Sequence, residues 1–265
     1  MKILCPTDFS TVSVNAISTL ASALTNRSSV SMDLCHFIHY HKRGNMFISL
    51  KEILIEKGKE DLMILKESLH EINPNISYNT LLYYSHPKTG VVNIAKENDY
   101  DLIVLGSTGL DALKSITIGS MTQYVFDHSH VPVLAIPGDV NLLSFKKPIV
   151  AVDLEEKPSS IGIDCMEIIF EQDIDKAKVI YVQETLDYKE LPVQPTELLG
   201  DIDYRFEQLQ GEKVESVLTK YGAKHKNEIV CLFHKKRSWI KRLLERTMAQ
   251  DKLKQLKSPL LILPY

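Results

Sequence analysis

The stretch at residues 101–122, DLIVLGSTGLDALKSITIGSMT, reads as a short apolar strand, a loop with glycines at 106, 109 and 119, and the start of a helix. Glycines at a strand-to-helix junction leave backbone N–H groups unshielded by side chains, so a phosphate can approach the main chain and the positive end of the helix. The loop is therefore a candidate nucleotide-phosphate site. Its neighbours also allow a plainer reading, because Ser120-Met121-Thr122-Gln123 has the spacing of a capping box, in which Ser120 caps its own helix. Lys114, inside the loop, is either solvated or close enough to meet a terminal phosphate.

Upstream, strand and helix patterns alternate. Residues 2–6 form an apolar run, and Ser10 or Thr11 can cap a helix carrying Ala16, Ile17, Leu20, Ala21 and Leu24 on one face. Residues 32–38 read as a second strand. A long amphipathic helix follows, roughly 50–72, with Ile53, Leu54, Leu62, Leu65 and Leu69 at helical spacing and Pro74 beyond its end. Residues 76–83 make a third strand, a helix carries Val91, Val92, Ile94 and Ala95, and residues 101–105 make a fourth strand. A helix over about 120–127 and a fifth strand at 133–136 complete the series. This alternation predicts an α/β fold with a parallel sheet covered by helices on both faces.

In such sheets ligands sit at the carboxyl ends of the strands where the strand order reverses. The loops after strands one and four are then neighbours, and Pro6, Thr7 and Asp8 face the glycine loop. A carboxylate at Asp8 would accept from a sugar hydroxyl or help hold a divalent metal that bridges phosphates. Taken alone, Asp8 reads as an Asx turn or a helix cap.

Composition narrows the classes. The chain has 265 residues, 44% hydrophobic and 25% charged, with a net charge of −3, as expected of a soluble protein of two ordinary domains. The start, MKILCPTDFS, is too short in its apolar run and too polar for a signal peptide, and no 18-residue apolar run exists, so a cytoplasmic protein is expected. Cys5, Cys35, Cys165 and Cys231 are widely spaced without a Cys-x-x-Cys pair, which points to reduced, buried thiols.

The spacing Gly106-x2-Gly109-x9-Gly119-Ser120 resembles the nucleotide-binding signature of the universal stress protein family. Pro6-Thr7-Asp8-Phe9-Ser10 resembles that family's first loop, and His36-Phe37 its histidine and apolar residue after the second strand. The resemblance covers residues 1 to about 137. It implies a Rossmann-like, adenine nucleotide alpha-hydrolase-like fold with strand order 3-2-1-4-5, and ATP, with or without Mg2+, as ligand. Pro6, Thr7, Asp8 and the backbone at Phe37 would then surround adenine and ribose, Leu105 and Gly106 would line the pocket, and Gly109, Gly119, Ser120, Met121 and Thr122 would cradle the phosphates.

The second half repeats the first. Pro148-Ile-Val-Ala-Val-Asp153 echoes residues 2–8, Ser159 or Ser160 can cap a helix through Ile163, Met166, Ile169 and Phe170, and strands are expected at 177–182, 202–208, 229–233 and 260–263. The expected domains are 1–142, with the intact loop, and 143–265, shortened and degenerate. Aligning Pro259 with Pro132 puts Phe233, Lys236 and Arg246 where Gly106, Gly109 and Gly119 stand, and Thr247 at Ser120, so this half is not expected to bind ATP in the same way. Asp153 is then a turn or cap residue. Residues 224–257 carry eleven Lys or Arg against three acids, a local +8 that leaves −11 elsewhere. A solvated helix face explains such a run, and an anionic partner is the other reading, although no nucleic-acid motif accompanies it.

The expected function is a regulatory, ATP-binding stress-response module. Its two halves would pair through their last strands as an intramolecular pseudo-dimer, and two chains could pair further. The competing readings are a slow ATPase or adenylyl transferase and a nucleotide-free scaffold. Against the enzyme, the chain lacks Gly-x4-Gly-Lys-Ser/Thr and Gly-x-Gly-x2-Gly, and no general base is evident.

Overall fold

The computed structural model describes residues 1–24, 27, 29–39, 47–107, 119–152, 158–170, 177–184, 198–211, 214–233 and 258–264. The first half runs β1 (Lys2–Pro6), α1 (Thr11–Ala23), β2 (Ser31–Phe37), α2 (Phe47–Ile72), β3 (Ser77–Tyr83), α3 (Pro87–Glu97), β4 (Leu102–Ser107), α4 (Ser120–His128) and β5 (Val133–Pro137). The second runs β6 (Ser144–Val152), α5 (Ser160–Phe170), β7 (Ala177–Glu184), β8 (Tyr204–Gly211), α6 (Val214–Lys224), β9 (Glu228–Phe233) and β10 (Leu260–Leu263). All ten strands join one sheet in the order β3-β2-β1-β4-β5-β10-β9-β6-β7-β8. Each half is thus a parallel sheet of order 3-2-1-4-5, and the halves meet where β10 pairs antiparallel with β5 through Leu260 with Ala135, Leu261 with Leu134 and Ile262 with Val133.

Helix packing follows the apolar spacing. The expected stripe on α1 is buried throughout, and Ser10 caps the helix by accepting from the Ser13 N–H. In α2 the stripe holds only in part, because Leu62, Leu65 and Leu69 are buried whereas Ile53 is 59% exposed. Twenty-six helical residues span about 39 Å, longer than a seven-residue strand of roughly 23 Å, so the first turns overhang the sheet. Cys5, Cys35 and Cys231 are buried and unpaired in β1, β2 and β9, and burial pushes their thiols well above the ordinary range.

Two strands of the second half differ from expectation. β6 begins at Ser144 rather than Pro148, and its register against β9 shifts between Ser144 and Ile149. Pro148 has no N–H to donate, so it is placed within that irregularity. β8 begins at Tyr204 because the Ile202 N–H bonds back to Leu199 in a turn, where Gly200 takes φ +58°.

The register makes the two halves superimposable. Gly106 lies opposite Ile136 and Phe233 opposite Leu263, so Phe233 holds the place of Gly106, as the alignment of Pro259 with Pro132 predicts. A Cβ on Gly106 would lie 2.7 Å from the Val12 carbonyl oxygen of α1. In the second half the glycine is on the helix instead. A Cβ on Gly162 of α5 would lie 2.7 Å from the Phe233 ring and 2.7 Å from the Pro264 carbonyl oxygen. Strand four packs against the first helix in both halves, with glycine supplied by opposite partners.

Gly162→Ala should therefore destabilise the protein by about 1–3 kcal/mol, overriding alanine's better helix propensity. Combined with Phe233→Ala, the two losses should sum to less than their separate values by at least about 0.5 kcal/mol in urea denaturation. Simple additivity would mean that the ring and the glycine are not matched.

Candidate functional site

The parallel register of β1 and β4, Leu4 with Ile103, sets Pro6 beside the Leu105–Gly106 end of β4. The carboxyl ends of these strands are therefore neighbours at one edge of the sheet, where β2 and β5 depart to opposite sides. Pro6, Thr7, Leu105 and Phe37 are buried, whereas Asp8 and Ser120 are exposed and Gly106, Gly119 and Met121 are partly so.

Asp8 is ordered by the first turn of α1. Its Oδ1 accepts from the Ser10 hydroxyl at 2.6 Å, the Ser13 hydroxyl at 2.8 Å and the Ser10 N–H at 3.0 Å. The last of these closes an Asx turn, so the structural reading of Asp8 holds, and Oδ2 takes none of the three bonds. Partial burial opposes ionisation of Asp8, but the hydroxyl and N–H donors outweigh it and hold the carboxyl below its ordinary value. Thr7 Oγ1 bonds Ser13 Oγ at 3.0 Å and accepts from the Phe9 N–H at 2.9 Å, while Phe9 takes φ 60°. The His36 Nδ1 lies 2.8 Å from the Thr7 carbonyl, and its ring packs on Phe9 with centroids 4.6 Å apart.

Phe37 turns its ring into the core, stacked on Tyr83 at 5.4 Å, so only its backbone is left for a ligand. Across the edge, Gly119 is the N-cap of α4 and makes no side-chain cap bond. Ser120 is the first helical residue, so the capping-box expectation is corrected: the chain turns into the helix one residue earlier, at a glycine. Gly119 offers α4 no capping side chain, and the first N–H groups of a helix point out of its end. Thr122 is buried, and its hydroxyl donates to the Gly106 carbonyl at 3.3 Å, tying α4 to β4 rather than projecting outward.

A cavity of about 400 Å³ adjoins Asp8, walled by Phe9, His36, Ile38 and, from α2, Leu54, Lys57 and Asp61. Leu54 belongs to the expected apolar stripe of α2, Lys57 and Asp61 to its polar residues, and no local signal marks any of them as part of a site. Ser10 and Ser13 are also absent from the expected site, although their spacing after Asp8 is visible. Among the described residues no group of three His, Cys, Asp or Glu could hold a metal. A divalent ion would therefore rest on one Asp8 oxygen and on phosphate, and the free Oδ2 suits that role. Gly109, Lys114, Asp153, Lys236, Arg246 and Thr247 lie outside the described residues, as does most of the basic run. Among the described residues no helix is long and apolar enough to cross a membrane.

The universal stress protein family profile matches residues 1–137. Universal stress protein MJ0531 of Methanocaldococcus jannaschii is 29% identical over 140 residues, 51% of this chain and 81% of the relative, and MJ0577 of the same organism is 27% identical over 154 residues, 51% and 93%. Both alignments cover about half of this chain. A universal stress protein from Archaeoglobus fulgidus DSM 4304 aligns over 99% of this chain and 98% of its own, with a TM-score of 0.73 at 18% identity, so the full two-part fold recurs there. With the carboxyl ends of β1 and β4 adjacent and the profile spanning residues 1–137, the chain belongs to the universal stress protein family.

Proposed function

We propose that residues 1–142 form a domain that binds an adenine nucleotide, ATP with Mg2+, and that residues 143–265 form a degenerate partner domain within an intramolecular pseudo-dimer. The observation that carries this reading is the N-terminus of α4, entered on Gly119 without a side-chain cap bond from that residue, in the half whose Asp8 carboxylate is ordered beyond the carboxyl end of β1. N–H groups free of side-chain caps suit a phosphate, and an ionised carboxylate suits a ribose hydroxyl or the metal ion. The backbone beyond β2, at Phe37, fits the base, as the family resemblance implies. In the second half Phe233 holds the place of Gly106, and by alignment Lys236 and Arg246 replace the other two glycines. Nucleotide binding is accordingly proposed for the first half alone.

Binding rather than turnover is proposed, because Asp8 commits Oδ1 to the α1 turn instead of to a water. The occupied protein would act as a cytoplasmic regulatory module in the stress response. The β5–β10 seam supports the pseudo-dimer.

Calorimetry with ATP should give saturable binding to the full chain at one site, and Gly109→Arg should abolish it by filling the loop. Absence of binding at millimolar ATP, or normal binding by Gly109→Arg, would refute the proposal.

The Asp8 network makes a separate, ligand-free prediction. A carboxylate whose folded pKa is depressed adds stability above its unfolded value, near 3.9, and loses it as the pH falls through the folded value. Asp8→Asn should therefore lower the urea midpoint at pH 7, with the difference from the parent shrinking below about pH 4. An equal difference at pH 7 and pH 3 would show that charge is not what the hydroxyls stabilise.

A further inference from the structure

Arg27, just beyond α1, is 6% exposed and reaches across to the second half. One guanidinium nitrogen donates to the Phe170 carbonyl at 2.8 Å, the other to the Ile169 carbonyl, and the group sits 4.8 Å from the centre of the Phe145 ring. Ile169 and Phe170 are the last two residues of α5, whose terminal carbonyls have no partner within the helix. A guanidinium fork satisfies two acceptors at once and is favourable at the negative end of a helix. The same helix, α1, also holds the connection between the halves. Asn15 donates to the Gly138 and Val140 carbonyls at 3.2 and 3.0 Å, and the buried Thr19 hydroxyl donates to Val140 at 3.1 Å. At its other end, about 18 Å away, α1 carries Ser10 and Ser13, which orient Asp8.

We propose that α1 couples the Asp8 site to the second half, so that the grip of Arg27 on the end of α5 sets the affinity of the first-half site. The regulatory reading rests on the nucleotide function proposed above, but the mechanical link does not. With α1 pinned at Gly138 and Val140, and with Arg27, whose N–H bonds the Leu24 carbonyl at the helix end, gripping Ile169 and Phe170, the first turn of α1 has one orientation, and Asp8 is held ready for ligand. Freed from α5, the helix can shift against β4, and the Asp8 turn shifts with it. By reciprocity, a ligand that fixes Asp8 tightens the docking of α5.

The test compares the full-length parent with Arg27→Met and Arg27→Lys. Calorimetry with ATP should show affinity about tenfold weaker in Arg27→Met, within the range usual for coupled sites, and Arg27→Lys should fall between. Hydrogen exchange without ligand should show faster exchange at Ser13 and Val14, whose N–H groups bond Ser10, in Arg27→Met. Unchanged exchange there, with the change confined to residues 160–170, would overturn the coupling, as would unaltered affinity. If the parent binds no ATP, the nucleotide reading fails, while the exchange at Ser13 and Val14 still decides the link. Should Arg27→Met not fold, Thr19→Val, which removes one pin at nearly constant volume, should move both readouts in the same direction.

Discussion

The closeness of strand four to the helix after strand one is the constraint on which this molecule depends. At Gly106 the β4 backbone comes so near α1 that a single methyl group would strike the Val12 carbonyl. This contact aligns the end of β4 with the start of α1, the helix whose first turn orders Asp8. The second half keeps the contact but moves the glycine onto the helix, at Gly162. Phe233 can then occupy the space on the strand side. One steric rule, met in two ways, thus separates a half with glycine at the end of strand four from one with an aromatic ring at the same place.

The seam between β5 and β10 gives the duplication its physical sense. A five-stranded sheet of order 3-2-1-4-5 ends in a hydrophobic strand whose backbone groups need partners, and an exposed edge of that kind invites aggregation. Leu134, Ala135, Leu260 and Leu261 are all buried at the join, so each half covers the other's edge. The join would leave the helices on either side free to slide. Asn15, Thr19 and Arg27 limit that freedom by fixing the connecting segment and the end of α5 to α1. Direct hydrogen bonds to backbone carbonyls serve this purpose well, because removing either side leaves a buried acceptor without a donor.

Legibility differed by the kind of interaction involved. The α1 stripe of Ala16, Ile17, Leu20, Ala21 and Leu24 was readable because helix periodicity is local, and all five are buried. In α2 the same reasoning overreached at Ile53, since periodicity says which side of a helix is apolar but not where the sheet beneath it ends. Ser120 looked like a cap because its spacing from Gln123 is right, yet the helix began on Gly119, whose extended backbone needs no side chain to enter the turn. Thr122 looked like a ligand donor, but its hydroxyl was drawn to the Gly106 carbonyl, a partner 16 residues away.

By itself the sequence determined the alternating strands and helices, the internal repeat and the replacement of Gly106 by Phe233. These depend on periodicity and on residue type at fixed spacing, both of which are local properties of the chain. Only the tertiary structure decided that Gly106 is demanded by helix packing, that Gly162 answers Phe233, that α2 walls the cavity and that Arg27 binds the far half. Each of these joins residues separated by tens to more than a hundred positions. Their pairing follows from how two sheets dock along one seam, which no local pattern encodes.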